Sequence, residues 1–379
     1  MTPEKVVIAV NGKSFSNDRH GGAIRAALNI INGLNDIYGD RTKELEILIP
    51  SYKEIPHQLF ESKSIRVKVF VSPLYANTYF KNFWEQFILP FYINRTKKYQ
   101  LLLNLTNSAP VLIPLAIPQI LLIHDIGFLN SQWFTHQFST YLKTIVRVAT
   151  QRNIYFTTVS QTSADRIQSS FPTIRSPEVI YNGCDKPPVN SIEHNCKFNY
   201  IVFIGSLNPR KNLEGLLASF FILKTRIESD LKLLIIGSHK EIFTSHDRNG
   251  ERCDRKDIIF TDYIDNETKW SILADAKLLI LPSFLEGFGL PILEAFSMGI
   301  PVVASDIPVF HELYEGAIEY VDPHSPEDIA RGMQFVLGSR ERQQVLIQNG
   351  YEILNKFSWS KTTQAYASII DKILFFNAI

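Results

Sequence analysis

Two glutamates spaced eight residues apart mark the segment of the chain with the clearest chemistry. Glu286 and Glu294 lie in the segment 284–305, FLEGFGLPILEAFSMGIPVVAS. Glu294 falls about one turn into a predicted helix, where its carboxylate can accept two hydrogen bonds from a vicinal diol such as a ribose. The alternative is an ordinary αβ turn in which the glutamate caps the helix, and the spacing alone leaves both interpretations open.

The turn between these glutamates predicts an anion site. Gly287 and Gly289 let the backbone approach a ligand closely, and Pro291 suits the first turn of a helix. A helix beginning at Leu290 therefore presents backbone N–H groups at its N-terminus, where negative charge is favoured.

A pair of cations lies in a second loop. The run GSLNPRKN begins at Gly205 and places Arg210 and Lys211 between a predicted buried strand and a helix. Arginine supplies a planar fork and lysine a point charge, and this pair can hold a pyrophosphate without a metal. Two solvated charges in a surface loop are the alternative.

The elements that must position these residues are two successive β/α arrays. Short runs rich in Val, Ile and Leu, typical of strands buried on both faces of a parallel sheet, recur between segments of helical period. The predicted strands span 6–10, 45–50, 65–71, 101–105, 119–125, 154–160, 178–183, 200–205, 231–237, 257–264, 277–283 and 301–305. After the last of these strands only helices are predicted.

This alternation predicts an α/β protein with two doubly wound, Rossmann-like domains that face each other across a cleft. Residues 186–199, with paired prolines and no periodicity, are the predicted linker. Ligands of such sheets bind beyond the carboxyl ends of the strands. Both loops described above lie there, as does His124, which ends another predicted strand.

Composition excludes some classes of function. The 39 Lys and Arg residues against 38 Asp and Glu give a net charge of +1, which argues against a general nucleic-acid binder. The sum hides an asymmetry, because residues 1–190 carry 20 Lys and Arg against 13 Asp and Glu, whereas residues 191–379 carry 19 against 25.

The predicted localisation is cytoplasmic. The first residues, MTPEKVVIAVNG, resemble a buried strand rather than a signal peptide. Cys184, Cys196 and Cys253 are too few and too irregularly spaced for a disulfide framework, which indicates a reducing compartment.

These motifs together resemble the retaining glycosyltransferases of family four, which have the GT-B fold of two Rossmann-like domains. The glutamate segment and GSLNPRKN carry the resemblance, with further matches in LLIHDIGF (121–128), VSQTSADRI (159–167), VIYNGCD (179–185) and the Phe-Ser-Trp of 357–359. The overall pattern is most similar to bacterial mannosyltransferases of surface polysaccharide synthesis. The resemblance is weakest over residues 40–100, where such enzymes usually build acceptor specificity.

The resemblance implies a division of the chain by ligand. Residues 1–187 would form an N-terminal acceptor-binding domain and residues 198–356 a C-terminal domain that binds the nucleotide sugar. Residues 357–379 would form a last helix that returns to the N-terminal domain.

The resemblance also implies roles for single residues. Arg210 and Lys211 would hold the donor diphosphate, and Glu294 would bind the nucleotide ribose. Glu286, with the N–H groups of Phe288 and Gly289, would contact hydroxyls of the transferred sugar. Three glycines and one leucine would also bind the donor: Gly205, Gly287, Gly289 and Leu290. From the first domain, His124 would lie against the transferred sugar, and Gly21 and Gly22 would face the diphosphate.

No cofactor or metal ion is expected. The chain has no Asp-x-Asp motif, so protein cations and helix dipoles would stabilise the leaving diphosphate. The resemblance implies transfer with retention by a same-face, ion-pair-like route. A nucleotide-sugar epimerase, a phosphorylase and a non-catalytic sugar-nucleotide-binding protein on the same fold are the alternatives, although no further acid/base carboxylates and no cofactor lysine could be identified for the first two.

The sequence leaves substrates and partners less defined. GDP-mannose is the first choice of donor, ahead of UDP-sugars and dTDP-rhamnose, and a glycan or lipid-linked glycan is the expected acceptor. The segment 74–100, LYANTYFKNFWEQFILPFYINRTKKYQ, concentrates aromatic and basic residues. It is either a surface that docks peripherally on anionic lipid at the inner face of the plasma membrane or a core helix with a solvated basic edge.

Overall fold

The chain folds into two compact units. The computed structural model describes residues 5–16, 21–39, 43–53, 65–187, 198–227, 230–237, 255–261 and 264–377. Unit 1 comprises Met1–Gly183 together with Trp359–Ile379, and unit 2 comprises Cys184–Ser358. Cys196, Cys253 and most of the predicted linker lie outside the described residues.

Unit 1 is built on a parallel sheet whose central strands are buried on both faces. Its described strands are β1 (Val6–Asn11), β2 (Lys43–Ser51), β3 (Arg66–Val71), β4 (Tyr99–Asn104), β5 (Gln119–Ile123), β6 (Ile154–Thr158) and β7 (Glu178–Val179). They pair in the order β3-β2-β1-β4-β5-β6-β7. The apolar runs of β1, β2, β4 and β5 are mostly buried because helices cover a parallel sheet on both sides, whereas the edge strands β3 and β7 are partly exposed.

The described helices of unit 1 join successive strands. They are α1 (Gly22–Tyr38), α2 (Thr78–Phe83), α3 (Leu89–Thr96), α4 (His136–Ala149) and α5 (Gln161–Ser170). A π-helical turn, Trp84–Ile88, connects α2 to α3. The Oγ of Ser160 accepts a hydrogen bond from the Ser163 N–H and so caps α5.

Unit 2 repeats the same design. Its described strands are β8 (Tyr200–Ile204), β9 (Lys232–Ile236), β10 (Ile258–Thr261), β11 (Leu279–Leu281), β12 (Val302–Ser305) and β13 (Glu319–Val321), which pair in the order β10-β9-β8-β11-β12-β13. Its described helices are α6 (Leu213–Arg226), α7 (Asn266–Asp275), α8 (Leu290–Ser297), α9 (Pro308–Tyr314), α10 (Pro326–Gly338) and α11 (Arg340–Leu354).

The last helix, α12 (Trp359–Asn377), packs within unit 1 although it follows unit 2 in sequence. A Cβ at Gly33 of α1 would lie 2.4 Å from the Thr363 Oγ1, so the two helices approach closely. The Thr362 hydroxyl donates to the Tyr181 carbonyl over 2.7 Å, and the Tyr366 hydroxyl lies 3.2 Å from that of Thr157.

Each sheet reverses its strand order at one place. In unit 1 this place lies between β1 and β4, and in unit 2 between β8 and β11. Loops that follow the two strands at such a switch point diverge to opposite faces of the sheet and leave a crevice, where open α/β sheets bind ligands. We call these places the unit 1 switch point and the unit 2 switch point.

The structure corrects two sequence expectations. The strand predicted over 178–183 ends at Val179, because the Tyr181 carbonyl bonds to α12 instead of to a neighbouring strand. The expectation of helices alone after 305 missed β13, whose three residues are too short to stand out as an apolar run.

Candidate functional site

The loop after β8 is held in one shape by two asparagines. The Asn208 Oδ1 accepts from the Arg210 N–H over 3.0 Å and so caps a 3₁₀ turn, Pro209–Lys211. Asn212 adopts a left-handed conformation, φ 57°, and its Oδ1 accepts from the Gly215 N–H at the start of α6. The two cations predicted from the sequence therefore lie on a fixed turn at the unit 2 switch point.

The loop after β11 brings a glutamate to these cations. The Glu286 carboxylate is buried, with Oε1 bonded to the Lys211 Nζ and Oε2 lying 3.4 Å from an Nη of Arg210. The Ser283 hydroxyl donates to the Glu286 Oε1 over 2.8 Å. The sequence interpretation of two solvated charges in a surface loop is therefore wrong, because both cations bond to a buried carboxylate.

The backbones of the two loops are joined as well. The Phe284 N–H donates to the Arg210 carbonyl over 2.8 Å, and an Nη of Arg210 donates to the Leu285 carbonyl over 2.9 Å. Burial raises the pKa of Glu286, but Lys211 and Arg210 more than offset burial, so this pKa lies below its ordinary value. The three groups carry a net charge of +1, which leaves one positive charge for an anionic ligand.

The start of α8 lies directly after this cluster. Gly289 has φ 91°, a conformation that suits glycine, and a Cβ there would lie 2.9 Å from the ring of Phe310. The Phe288 carbonyl accepts from the buried Tyr314 hydroxyl over 2.9 Å. These contacts fix the backbone around Gly287 and Leu290 as it enters the helix.

Glu294 lies deeper and pairs with a residue that the sequence analysis missed. The Lys269 Nζ donates to the Glu294 Oε1 over 2.8 Å, and both side chains are buried. Lys269 stands in α7, where a single lysine looks like any solvated helix position. The buried Lys269 Nζ also lies over the ring of the adjacent Trp270, 4.6 Å from its centroid.

Cys184 lies beside this pair. Burial, with the nearby Glu294 carboxylate, raises the pKa of its thiol to about 12. The thiol donates weakly to the Leu293 carbonyl in α8, with 3.4 Å between the Sγ and the oxygen. The thiol therefore stays protonated at neutral pH.

The remaining predicted residues belong to unit 1. The His124 Nε2 lies 3.0 Å from the Leu105 carbonyl, which can only accept, so this nitrogen carries the proton. The backbone N–H of His124 donates to the Asn107 Oδ1 over 2.7 Å. Asn107 lies in the loop after β4 and has φ 56°. This loop therefore orients His124, which directly follows β5.

The two glycines that open α1 are exposed. Gly21 is the N-cap of the helix and has an extended backbone, φ −70°, and a Cβ there would meet nothing within 4 Å. Its carbonyl accepts from the N–H groups of Ile24 and Arg25. Within the described part of the chain, no group of three or more His, Cys, Asp and Glu is placed to hold a metal ion.

Comparison with known proteins agrees with the resemblance seen in the sequence. Residues 189–353 match the family described as "Glycosyl transferases group 1". The O-antigen chain mannosyltransferase B of Escherichia coli is 31% identical over 43% of this chain and 43% of its own length. The O-antigen chain mannosyltransferase RfbU of Salmonella typhimurium is 31% identical over 56% of this chain and 58% of its own length. The matched regions thus span about half of these relatives.

Solved structures show a likeness in fold over nearly the whole chain. Sucrose-phosphate synthase from Thermosynechococcus elongatus has a TM-score of 0.76 at 17% identity, over 99% of this chain and all of that one. Anabaena HepE in complex with UDP-glucose has a TM-score of 0.73 at 18% identity, over 97% of this chain and 99% of that one. The predicted glycosyltransferase resemblance and the GT-B fold class, with two Rossmann-like domains, are therefore confirmed.

Proposed function

We propose that this protein is a retaining glycosyltransferase that moves a hexosyl unit from a nucleotide sugar to a hydroxyl of a glycan or lipid-linked glycan. The observation that carries the proposal is the cluster of Arg210, Lys211 and Glu286 at the unit 2 switch point. Its single surplus positive charge, beside the N-terminus of α8, suits a diphosphate that gains charge as it leaves.

In the proposed reaction, one bond to the anomeric carbon breaks and another forms. The bond from C1 to the phosphate oxygen breaks, the acceptor oxygen bonds to C1 on the same face, and the acceptor proton passes to the departing phosphate. Lys211 and Arg210 would stabilise the charge on that phosphate. A double displacement through a carboxylate nucleophile is the usual route to retention. Glu286 is poorly placed to attack the anomeric carbon, because its carboxylate is bonded to Lys211 and Ser283.

Within this proposal the two glutamates have different tasks. Glu286 would accept from sugar hydroxyls while it orients the cations, and Glu294 would accept from the ribose while Lys269 holds its carboxylate. Gly205, Gly287, Phe288, Gly289 and Leu290 would provide backbone contacts to the donor. From unit 1, Gly21 and Gly22 would add contacts to the diphosphate and His124 to the transferred sugar.

The donor is proposed from the relatives. Both O-antigen relatives are named mannosyltransferases, which supports GDP-mannose, whereas the HepE complex with UDP-glucose keeps a UDP-sugar as the second choice. In thermal-shift measurements with GDP, UDP and dTDP, only one of the three nucleotides should raise the melting temperature of the protein. Release of that nucleotide diphosphate from its sugars, with and without acceptor, then tests transfer.

The same assay separates the alternatives. A non-catalytic binding protein would be stabilised by the nucleotide sugar and release no diphosphate. An epimerase would convert one nucleotide sugar into another, also without release. Either result would contradict the proposed function. Activity that persists after dialysis against a chelator is expected, because no metal is invoked.

We also propose that unit 1 docks on anionic lipid, which would place the enzyme peripherally on a cytoplasmic membrane face. No helix within the described residues combines the length and hydrophobicity needed to span a bilayer. Four aromatic side chains stand outward at four-residue intervals through α2, the π-helical turn and α3, and each is more than half exposed: Tyr79, Phe83, Phe87 and Phe91. The exposed Arg95 and Lys97 follow them.

Flotation with liposomes tests this docking. The protein should float with anionic vesicles at low salt and less so at high salt, and Phe83→Ser with Phe87→Ser should abolish flotation. Phe335→Ser, at an exposed position of α10 in unit 2, is the matched control. Equal flotation of the double variant and wild type would contradict the proposal.

A further inference from the structure

A buried ion pair lies in unit 2 about one helical turn from the start of α8. The Lys269 Nζ in α7 donates to the Glu294 Oε1 in α8 over 2.8 Å, and the two side chains keep only 7% and 3% of their surfaces exposed. The same ammonium lies over the ring of the buried Trp270. Lys269 is therefore held between a carboxylate and an aromatic ring, away from bulk water.

Helix geometry places this pair beside the proposed diphosphate site. Glu294 follows Leu290, the first residue of α8, by four positions, which corresponds to about 6 Å along a helix axis. In a nucleotide sugar the ribose is joined directly to the diphosphate. With the diphosphate at the start of the helix, the ribose hydroxyls are thus within reach of a carboxylate one turn further on.

Without a partner, the charge of Glu294 would oppose diphosphate binding. Arg210, Lys211 and Glu286 together carry a net charge of +1, and an uncompensated carboxylate nearby would reduce that sum to zero. Lys269 balances Glu294 and returns the sum to +1. The lysine also fixes the Glu294 Oε1, so it determines how the carboxylate is oriented.

Stability alone does not account for a lysine at this position. The desolvation of two buried charges opposes their attraction, so a buried ion pair contributes little more than two well-packed apolar side chains of similar size. A lysine paired with a carboxylate next to an anion site does have a use in binding, because it lets a hydroxyl-binding group and an anion lie close together.

We propose that Lys269 is a positioning residue of the donor site, which orients and neutralises the Glu294 carboxylate so that a ribose diol can bind beside the diphosphate. The role rests on the proposed function, in which Glu294 is the ribose ligand, and Lys269 acts through Glu294. The site then selects ribonucleotides, since a 2′-deoxyribose leaves a buried carboxylate one hydrogen bond short. Donors linked to dTDP are disfavoured, whereas GDP-sugars and UDP-sugars remain.

Calorimetric titration of the full chain with GDP, UDP and their 2′-deoxy forms tests this selection. The measured quantity is the ratio of the dissociation constants of the deoxynucleotide and the ribonucleotide, for whichever base binds. In wild type this ratio should be about tenfold to a hundredfold, because the lost bond is to a charged group. Glu294→Gln keeps only a neutral acceptor, so the ratio should fall to about threefold.

Lysine variants separate positioning from a direct contact. Lys269→Met should weaken binding of both nucleotide forms and lower the ratio, whereas Lys269→Arg, which keeps the charge, should restore the ratio in part. Lys269→Met combined with Glu294→Gln is decisive, because it removes both charges. This double variant should have the ratio of Glu294→Gln alone, and its affinity for the deoxynucleotide should return to within about threefold of wild type.

The same variants control for misfolding. Lys269→Met leaves Glu294 buried without its cation and should melt at a lower temperature, whereas the double variant should melt near wild type. Lys269→Arg and the double variant therefore carry the test even if Lys269→Met does not fold. Lys224→Met removes the partly exposed Lys224–Asp257 pair of unit 2 and should alter neither the ratio nor the affinity.

Three results would overturn the role of Lys269. These are equal binding of ribonucleotide and deoxynucleotide by wild type, a wild-type ratio in Lys269→Met, and a double variant that still binds the deoxynucleotide as weakly as Lys269→Met does. Failure of the proposed function looks different. Nucleotide binding with the expected ratio, but no release from any nucleotide sugar, would contradict glycosyl transfer and leave the role of Lys269 standing. Absence of binding by all four nucleotides would overturn both.

Discussion

In both units a lysine that follows the central strand donates to a buried glutamate, and a serine from across the switch point donates to the same carboxylate. Around Glu85, the glutamate of unit 1, the remaining donors are the neutral side chains of Asn11, Gln86 and Tyr141, whereas Arg210 approaches Glu286 in unit 2. One guanidinium therefore separates a charge-balanced cluster from one with a surplus positive charge.

This difference shows how one fold can carry two polar clusters of different charge. The strand order and the Lys–Glu–Ser arrangement determine where polar side chains gather, and the count of cations determines which ligand charge is stable there. Unit 2 as a whole is the acidic half of the chain, so attraction of a diphosphate must come from these local groups and not from its overall field.

The largest effect is expected from Lys211→Ala. Loss of this ammonium removes one of the two cations proposed to hold the leaving group, and turnover should fall about 10²–10³-fold. Single-turnover measurement of diphosphate release, on protein whose circular dichroism matches wild type, checks it.

A matched substitution gives the baseline for Lys211→Ala. Lys224 pairs with Asp257 at a partly exposed position in unit 2, so Lys224→Ala should keep turnover within about twofold of wild type. Near-normal turnover of Lys211→Ala would contradict the proposed role of the unit 2 cluster.

Arg210→Gln tests the charge difference itself. It makes the unit 2 cluster neutral, like that of unit 1, while it keeps side-chain N–H groups that can reach the Leu285 carbonyl. Affinity for the nucleoside diphosphate should fall about tenfold to a hundredfold, because a charged hydrogen bond is replaced by a neutral one. Calorimetric titration of wild type and variant with the nucleoside diphosphate measures this affinity.

Acid titration compares the two glutamates. Both folded pKa values lie below the ordinary value of 4.5, so each ionised carboxylate stabilises the fold above that pH. This contribution is lost as pH falls from about 4.5 through the lowered folded pKa. Glu85→Gln and Glu286→Gln should each flatten the loss of unfolding free energy in this range, measured by urea unfolding of each variant beside wild type.

The sequence predicted the fold and the place of the unit 2 cluster, but not its ion pairs, for a physical reason. Strands buried on both faces leave apolar runs, and residues directly after such runs, as Arg210, Lys211 and Glu286 are, must meet at the carboxyl edge of the sheet. The resemblance to a known family added their proposed roles, which remain predictions.

What the sequence could not predict depends on distant pairings. Lys13 and Glu85, which pair in unit 1, are 72 residues apart, and Glu85 stands in a π-helical turn that the sequence pattern does not predict. Lys269 likewise looks solvated until the fold buries it against Glu294. Periodicity reports which face of an element is apolar, and it carries no information about which polar side chains from other elements meet there.

The smallest effect is expected from alanine substitutions at the N-caps of α1 and α8, Gly21 and Gly289. Gly289→Ala places a side chain on a backbone with φ 91° and against the Phe310 ring, which should lower the free energy of unfolding by about 1–2 kcal/mol and weaken nucleoside diphosphate binding. Gly21→Ala meets no atom within 4 Å and has φ −70°, so stability should stay within about 0.5 kcal/mol of wild type. Equal stability of both variants would show that the α8 turn is not a rigid ligand platform, and the contrast between the two helix starts would then be lost.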